Sequence, residues 1–237
     1  MIKMYSKATA LFAVFALAIS VNTANAVEEE EKQMTLGILL YPGFELLDVY
    51  GPAEMFGNVG VQLKVVMVAE KAGEVSSYQG PKGVADFGFE DCPHLNILLV
   101  PGGFGTLQQL NNETLLNWLR ERSEAAEITT SVCSGSALLA KAGLLDGHRA
   151  TSNKQFFSLA TSQSSKVDWV TKARWVDDGT MVTSSGVSAG IDMSLALIER
   201  LFGTATAESI ATGTEYEWHR DASWDPFSKV LNSQEPR

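Results

Sequence analysis

The stretch TTSVCSGSALLAKAGLLDG, residues 129–147, carries the clearest structural signal in the chain. Thr129 and Thr130, with Ile128 and Val132, read as a strand, and the Ala- and Leu-rich run that follows reads as a helix ending at Gly147. Between them Ser131-Val132-Cys133-Ser134-Gly135-Ser136 is built almost wholly of small side chains. A sharp strand-to-helix turn with a strained apex requires such smallness. Cys133 stands at the apex, where a nucleophile elbow would carry serine. A thiol in the first turn of a helix faces unpaired backbone N–H groups and the positive end of the helix dipole, which predicts a lowered thiol pKa. The competing reading is a small apolar residue that fills space in a core.

On either side of this stretch, short apolar runs alternate with helical patterns. MTLGILLYPGF, QLKVVMVAE, LNILLVPGG and EITTSVCSG read as strands buried on both faces. Helices are expected over Phe44–Phe56, Glu113–Ala126 behind Asn111 and Asn112, Ser134–Leu145, Ala189–Phe202 and Ala205–Trp218. This alternation predicts an α/β fold: a mostly parallel sheet with helices on both faces and the elbow after a central strand. In RWVDDGTMVTSSG, two extended runs flank the turn sequence Asp177-Asp178-Gly179, which predicts an antiparallel hairpin whose aspartates form the turn rather than bind a ligand.

Ligands bind open parallel sheets outside the carboxyl ends of their strands. There LLVPGG places Gly102 and Gly103, whose backbone N–H groups are candidates to approach a ligand and hold developing negative charge. In PGFELLDVYGPAEMF, Phe44, Leu47, Gly51 and Met55 form an apolar stripe at helical spacing, and Asp48 lies on it. An inward acid is costly unless paired or used. Pro52 lacks the N–H that would bond the Asp48 carbonyl, so a break is expected there, and Asp48 as a cap for the segment beginning at Pro52 is the alternative to a proton-handling role. Gly186, Val187 and Ser188, ahead of a helix, are candidates to face a substrate pocket, although Gly190 in the same run suits close packing equally well.

The rest of the chain bounds these readings. Residues 1–26 have the pattern of a secretory signal: Lys3 and Lys7, an apolar run from Ala8 to Val21, and the small-x-small site Ala24-Asn25-Ala26. Cleavage is expected after Ala26, giving a periplasmic or secreted protein with no membrane anchor. Residues 27–34 read as an acidic, disordered tail, 35–220 as one domain and 221–237 as a C-terminal extension. The formal net charge of −10 falls to about −12 without the signal lysines, which argues against a nucleic-acid partner. Cys92 and Cys133 are expected at opposite ends of parallel strands, roughly 15 Å apart at ~3.3 Å per residue, and therefore free. His94, His148 and His219 show no metal-ligand spacing, and no phosphate loop or dinucleotide fingerprint appears, so neither metal nor cofactor is expected.

LDVYGP, LLVPGG, CSGSALLAKAGLLDGHRAT and GVSAGIDMSLALIERLFG together resemble the ThiJ/PfpI superfamily of class I glutamine amidotransferase-like proteins. Within it they are most similar to isonitrile hydratases and to the sensor domains of some AraC-type regulators. The resemblance implies a flavodoxin-like domain, a homodimer, a small-molecule substrate, Cys133 as nucleophile and Asp48 as acid/base. Ser134 would preserve a hydroxyl found as threonine in hydratases and, with the Gly102 and Gly103 amides, would orient the reacting group. The chain departs from the pattern in two places. Asn153-Lys154 stands where many hydratase-like sequences have His-Trp, and Ser134 stands where protease-like relatives have histidine, which leaves a Cys-His dyad unsupported. The alternatives to a cysteine-dependent hydratase or hydrolase are a non-catalytic periplasmic ligand-binding module and a redox or stress-protective protein in which Cys133 is oxidised.

Overall fold

The computed structural model describes residues 33–232. The signal sequence, its cleavage after Ala26 and most of the acidic tail fall outside these residues. Met34, placed in that tail by sequence, opens the first strand. The first half runs β1 (Met34–Leu39), α1 (Leu46–Gly57), β2 (Leu63–Val68), β3 (Gly73–Ser76), β4 (Lys82–Ala85), β5 (Ile97–Val100), α2 (Thr106–Gln109) and α3 (Glu113–Ala125). The second runs β6 (Ile128–Ser131), α4 (Gly135–Lys141), β7 (Arg149–Ala150), α5 (Phe157–Thr161), β8 (Asp168–Trp169), β9 (Trp175–Asp178), β10 (Met181–Ser184), α6 (Ala189–Phe202) and α7 (Thr204–Gly213).

Six strands form the main sheet in the order β2-β1-β5-β6-β10-β9. All pairs are parallel except the edge hairpin β9–β10, which turns at Gly179 as its sequence predicts. Every residue of β5, β6 and β10 is buried, so both faces of the sheet are covered. One helix group comprises α1, α6 and α7, the other α2 to α5 around α4. From β1 the chain steps outward to β2 and then crosses back to β5, β6 and β10. The loops at the carboxyl ends of β1, β5, β6 and β10 therefore converge at a topological switch point.

Three sequence expectations change. Helix α1 passes through Pro52 without a break. Only the Asp48 carbonyl loses its partner, a cost of ~3 kcal/mol, whereas burying Val49, Met55 and Phe56 contributes about 1.5–3 kcal/mol each. Leu47 is 40% exposed, because the inward stripe of α1 is Asp48, Val49, Gly51, Pro52, Met55 and Phe56. Helix α7 stops at Gly213 rather than at Trp218. There Glu215 takes a φ of 51° and the Tyr216 N–H closes back on the Ala211 carbonyl at 2.8 Å. The C-terminal extension packs onto the domain, with Arg174 N–H donating to Ala222 O and Asp225 N–H to Lys172 O.

Candidate active site

Cys133 follows β6 with a φ of 58°, the left-handed conformation that a sharp elbow imposes. Its N–H donates to Ser185 O at 3.0 Å, and its carbonyl accepts from the hydroxyls of Ser136 at 3.1 Å and Ser152 at 3.2 Å. These bonds, from the start of α4 and from the loops carrying Ser152 and Ser185, hold the strained residue in place. The turn also needs Gly135, since a Cβ there would collide with the Val100 carbonyl of the neighbouring strand end. The small residues read from the sequence thus have identifiable causes.

Three donors converge on the sulfur. Asn153 Nδ2 donates to Cys133 Sγ at 3.1 Å, and the backbone N–H groups of Ser134 and Val187 lie close enough to favour charge on the same atom. The Asn153 amide is oriented by its other end, where Oδ1 accepts from the N–H groups of Gln155 at 2.8 Å and Phe156 at 3.1 Å. Val187 has a φ of 38°, rare for a β-branched residue, and this turn aims its N–H at the thiol. Burial nevertheless pushes the Cys133 thiol well up, and the neighbouring Asp48 pushes in the same direction; the three donors oppose this without reversing it. The lowered pKa expected from sequence is therefore corrected. The seven-residue α4 is short, and among the described residues no cation lines the cavity at the sulfur to outweigh desolvation.

Asp48 is completely buried in the first turn of α1. Its Oδ2 accepts the Gly102 N–H at 2.8 Å, so the carboxyl caps the β5 loop and not the segment at Pro52. Oδ1 has no ordinary hydrogen-bond partner, and the thiol of Cys133 is the side-chain donor within its reach. Burial raises the Asp48 pKa well above the carboxylate range, the nearby Glu45 charge adds to it, and the Gly102 bond offsets only part. Gly102 itself admits no side chain, because a Cβ would lie 2.5 Å from Ser134 N and Oγ.

Ser134 belongs to a chain of hydroxyls whose direction is fixed. Tyr41 Oη donates its single proton to Pro101 O at 2.7 Å. Its 3.0 Å bond to Thr106 must then be donated by Thr106 Oγ1, and the 3.0 Å bond between Thr106 and Ser134 by Ser134 Oγ. Ser134 Oγ in turn accepts the Gly103 N–H at 3.1 Å. The amide hydrogens of Gly102 and Gly103 are thus both taken by protein acceptors. The sequence expectation that they hold a substrate's developing charge therefore meets two amides that already have protein acceptors, while the N–H groups of Ser134 and Val187 favour charge on the Cys133 sulfur. Of the trio Gly186, Val187 and Ser188, only Val187 lines the Cys133 cavity; Gly186 and Ser188 border a neighbouring one, where a Cβ on Gly186 would press on Asn153 Nδ2 at 2.6 Å.

The Cys133 cavity, about 230 Å³, opens past Glu45, Phe104, Leu107, Phe156 and Leu159. Its mouth is aromatic: Tyr78 and Phe104 lie 4.4 Å apart between ring centroids, and Phe104 and Phe156 meet edge-on at 5.6 Å. Lys154 turns away from it, donating to Thr151 Oγ1 and Ala173 O at 2.7 Å each, and burial lowers its pKa to about 8. Cys92 and Cys133 are both free. Asn153 and Val187 were not legible as thiol partners: the first is 20 residues away, and the second acts through its backbone.

The DJ-1/PfpI family profile matches residues 34–200. An isonitrile hydratase from Pseudomonas putida is 34% identical over 183 residues, which cover 77% of this chain and 78% of that protein. The transcriptional regulator CdhR of Pseudomonas aeruginosa is 29% identical over 73% of this chain but only 52% of its own length. Among solved structures, a THiJ/PfpI family protein from Pseudomonas syringae superposes with a TM-score of 0.72 at 32% identity, covering 85% of this chain and 84% of that one.

Proposed function

Because this chain belongs to the DJ-1/PfpI family, we propose that it is a cysteine-dependent hydratase of a small molecule, converting an isonitrile into an N-substituted formamide. The observation that carries the reading is Cys133 lining an apolar cavity with the fully buried Asp48 behind it, one carboxyl oxygen fixed by the Gly102 N–H and the other within reach of the thiol. The similarity to isonitrile hydratase points the same way.

In this reading Asp48 Oδ1 carries the proton of a largely neutral carboxyl. As Cys133 Sγ bonds to the terminal isonitrile carbon, that carbon takes the Asp48 proton and the carboxylate takes the thiol proton, giving the thioimidate R–N=CH–S–Cys. Water then adds to the carbon, with Asp48 relaying its proton to nitrogen. The C–S bond breaks, the sulfur recovers a proton and R–NH–CHO leaves. Negative charge developing on sulfur meets the N–H groups of Ser134 and Val187 and the Asn153 amide, donors already in place before reaction. Export after cleavage at Ala26 and assembly as a homodimer belong to the same proposal.

Incubation of the protein with an alkyl isonitrile should give the matching formamide by mass spectrometry, with no product from Cys133→Ala. Unaltered isonitrile with folded protein would overturn the assignment and favour a pocket that binds without turnover.

A further inference from the structure

The Cys133 cavity holds a nucleophile with no positive charge to balance its thiolate. None of the side chains lining it is Lys, Arg or His, and Lys154, the basic residue adjacent in sequence, sends its ammonium elsewhere. The one formally charged lining residue is Glu45, the residue that precedes α1. Its carboxylate accepts a hydrogen bond from Gln79 and forms no salt bridge among the described residues. It lies close enough to be felt by both Asp48 and Tyr41. Around it the mouth is hydrocarbon and aromatic, with Phe104 49% and Phe156 39% exposed to whatever enters. A carboxylate without a cationic partner among the described residues, lining the same cavity as exposed aromatic rings, favours an organic cation over a neutral or anionic molecule.

We propose that this cavity takes ammonium-bearing small molecules, the cation resting between the Glu45 carboxylate and the rings of Phe104 and Phe156 while the reactive group reaches Cys133. This rests on the reading of the cavity as the substrate pocket and names the substrate class. It also gives the unbalanced sulfur a partner. The resting thiol stays protonated because burial and Asp48 disfavour its charge, and a bound cation supplies the missing positive charge only when substrate is present.

Calorimetric titration of the intact protein with benzylammonium and with benzyl alcohol, a neutral probe of nearly the same shape, tests this at pH 7. The cation is expected to bind about tenfold tighter than the alcohol. Glu45→Gln should bring the two within about twofold, and Phe104→Ala should weaken the cation more than the alcohol. Equal or tighter binding of the alcohol, a preference that survives Glu45→Gln, or no binding of benzylammonium would each overturn the proposal. Binding is read without turnover, so a failure here is separate from a failure to form formamide.

Discussion

Two aspartates, Asp48 and Asp192, are equally buried and have opposite surroundings. Asp192, on α6, receives the Nε and Nη2 of Arg174 at 2.7 and 2.5 Å, the Tyr216 hydroxyl at 3.1 Å and the His219 N–H at 2.9 Å. Its charge is matched and both oxygens are filled. Asp48 has one backbone N–H on one oxygen, a thiol near the other and no cation. Burial costs both acids the solvation of water, but only Asp192 has a compensating partner. The acid left uncompensated is the one that burial pushes toward its neutral form, and it lies beside Cys133.

Removing the compensated acid should have the largest effect on the fold. Asp192→Ala leaves Arg174 buried and unpaired, and about 3–5 kcal/mol of stability should be lost in urea unfolding. Asp48→Asn should leave the fold as stable as before or more so, since it removes an unpaired buried acid. Formamide production should fall about a thousandfold, within the range of general acid–base catalysis. A stability loss for Asp48→Asn as large as that for Asp192→Ala would erase the distinction between the two sites.

Lys154 sharpens the comparison as a buried charge of the opposite sign with no bonded carboxylate. Its pKa of about 8 lies below the 10.5 of a free lysine. Between those values the unfolded chain holds a proton that the folded chain has released, so stability rises with pH across that window. The rise should amount to about 3 kcal/mol at 1.36 kcal/mol per unit, and Lys154→Met should remove it from unfolding curves recorded from pH 7.5 to 10.5. The smallest effect belongs to Thr106, a positioning residue that joins Tyr41 to Ser134. Thr106→Val should slow turnover about tenfold and move its pH profile with KM little changed, while Thr106→Ser restores both.

Much of this arrangement was legible before the structure. The elbow at Cys133, the inward Asp48 and the Gly102 turn follow from local rules: small residues where a strand meets a helix, an acid among apolar neighbours, a glycine at a strand end. What escaped depends on separation in sequence. Asn153 meets the sulfur across 20 residues, Tyr41 meets Thr106 across 65, and Asp192 meets Arg174 across 18. No periodicity records such meetings. The thiol pKa was misjudged because sequence displays the helix start and conceals the depth of burial and the lack of a cation. Likewise the sequence displays Gly102 and Gly103 at a strand end, but the acceptors of their N–H groups, Asp48 and Ser134, appear only when the segments after β1, β5 and β6 are brought together.

The rate of Cys133 alkylation by iodoacetamide as a function of pH, compared between the native chain and Asp48→Asn, tests the central claim most directly. The coupled pair predicts an apparent thiol pKa above the ordinary value of about 8.5, falling in Asp48→Asn, which lacks the negative charge that Asp48 acquires before the thiol ionises. A thiol that titrates below 8.5, or one indifferent to Asp48→Asn, would contradict it.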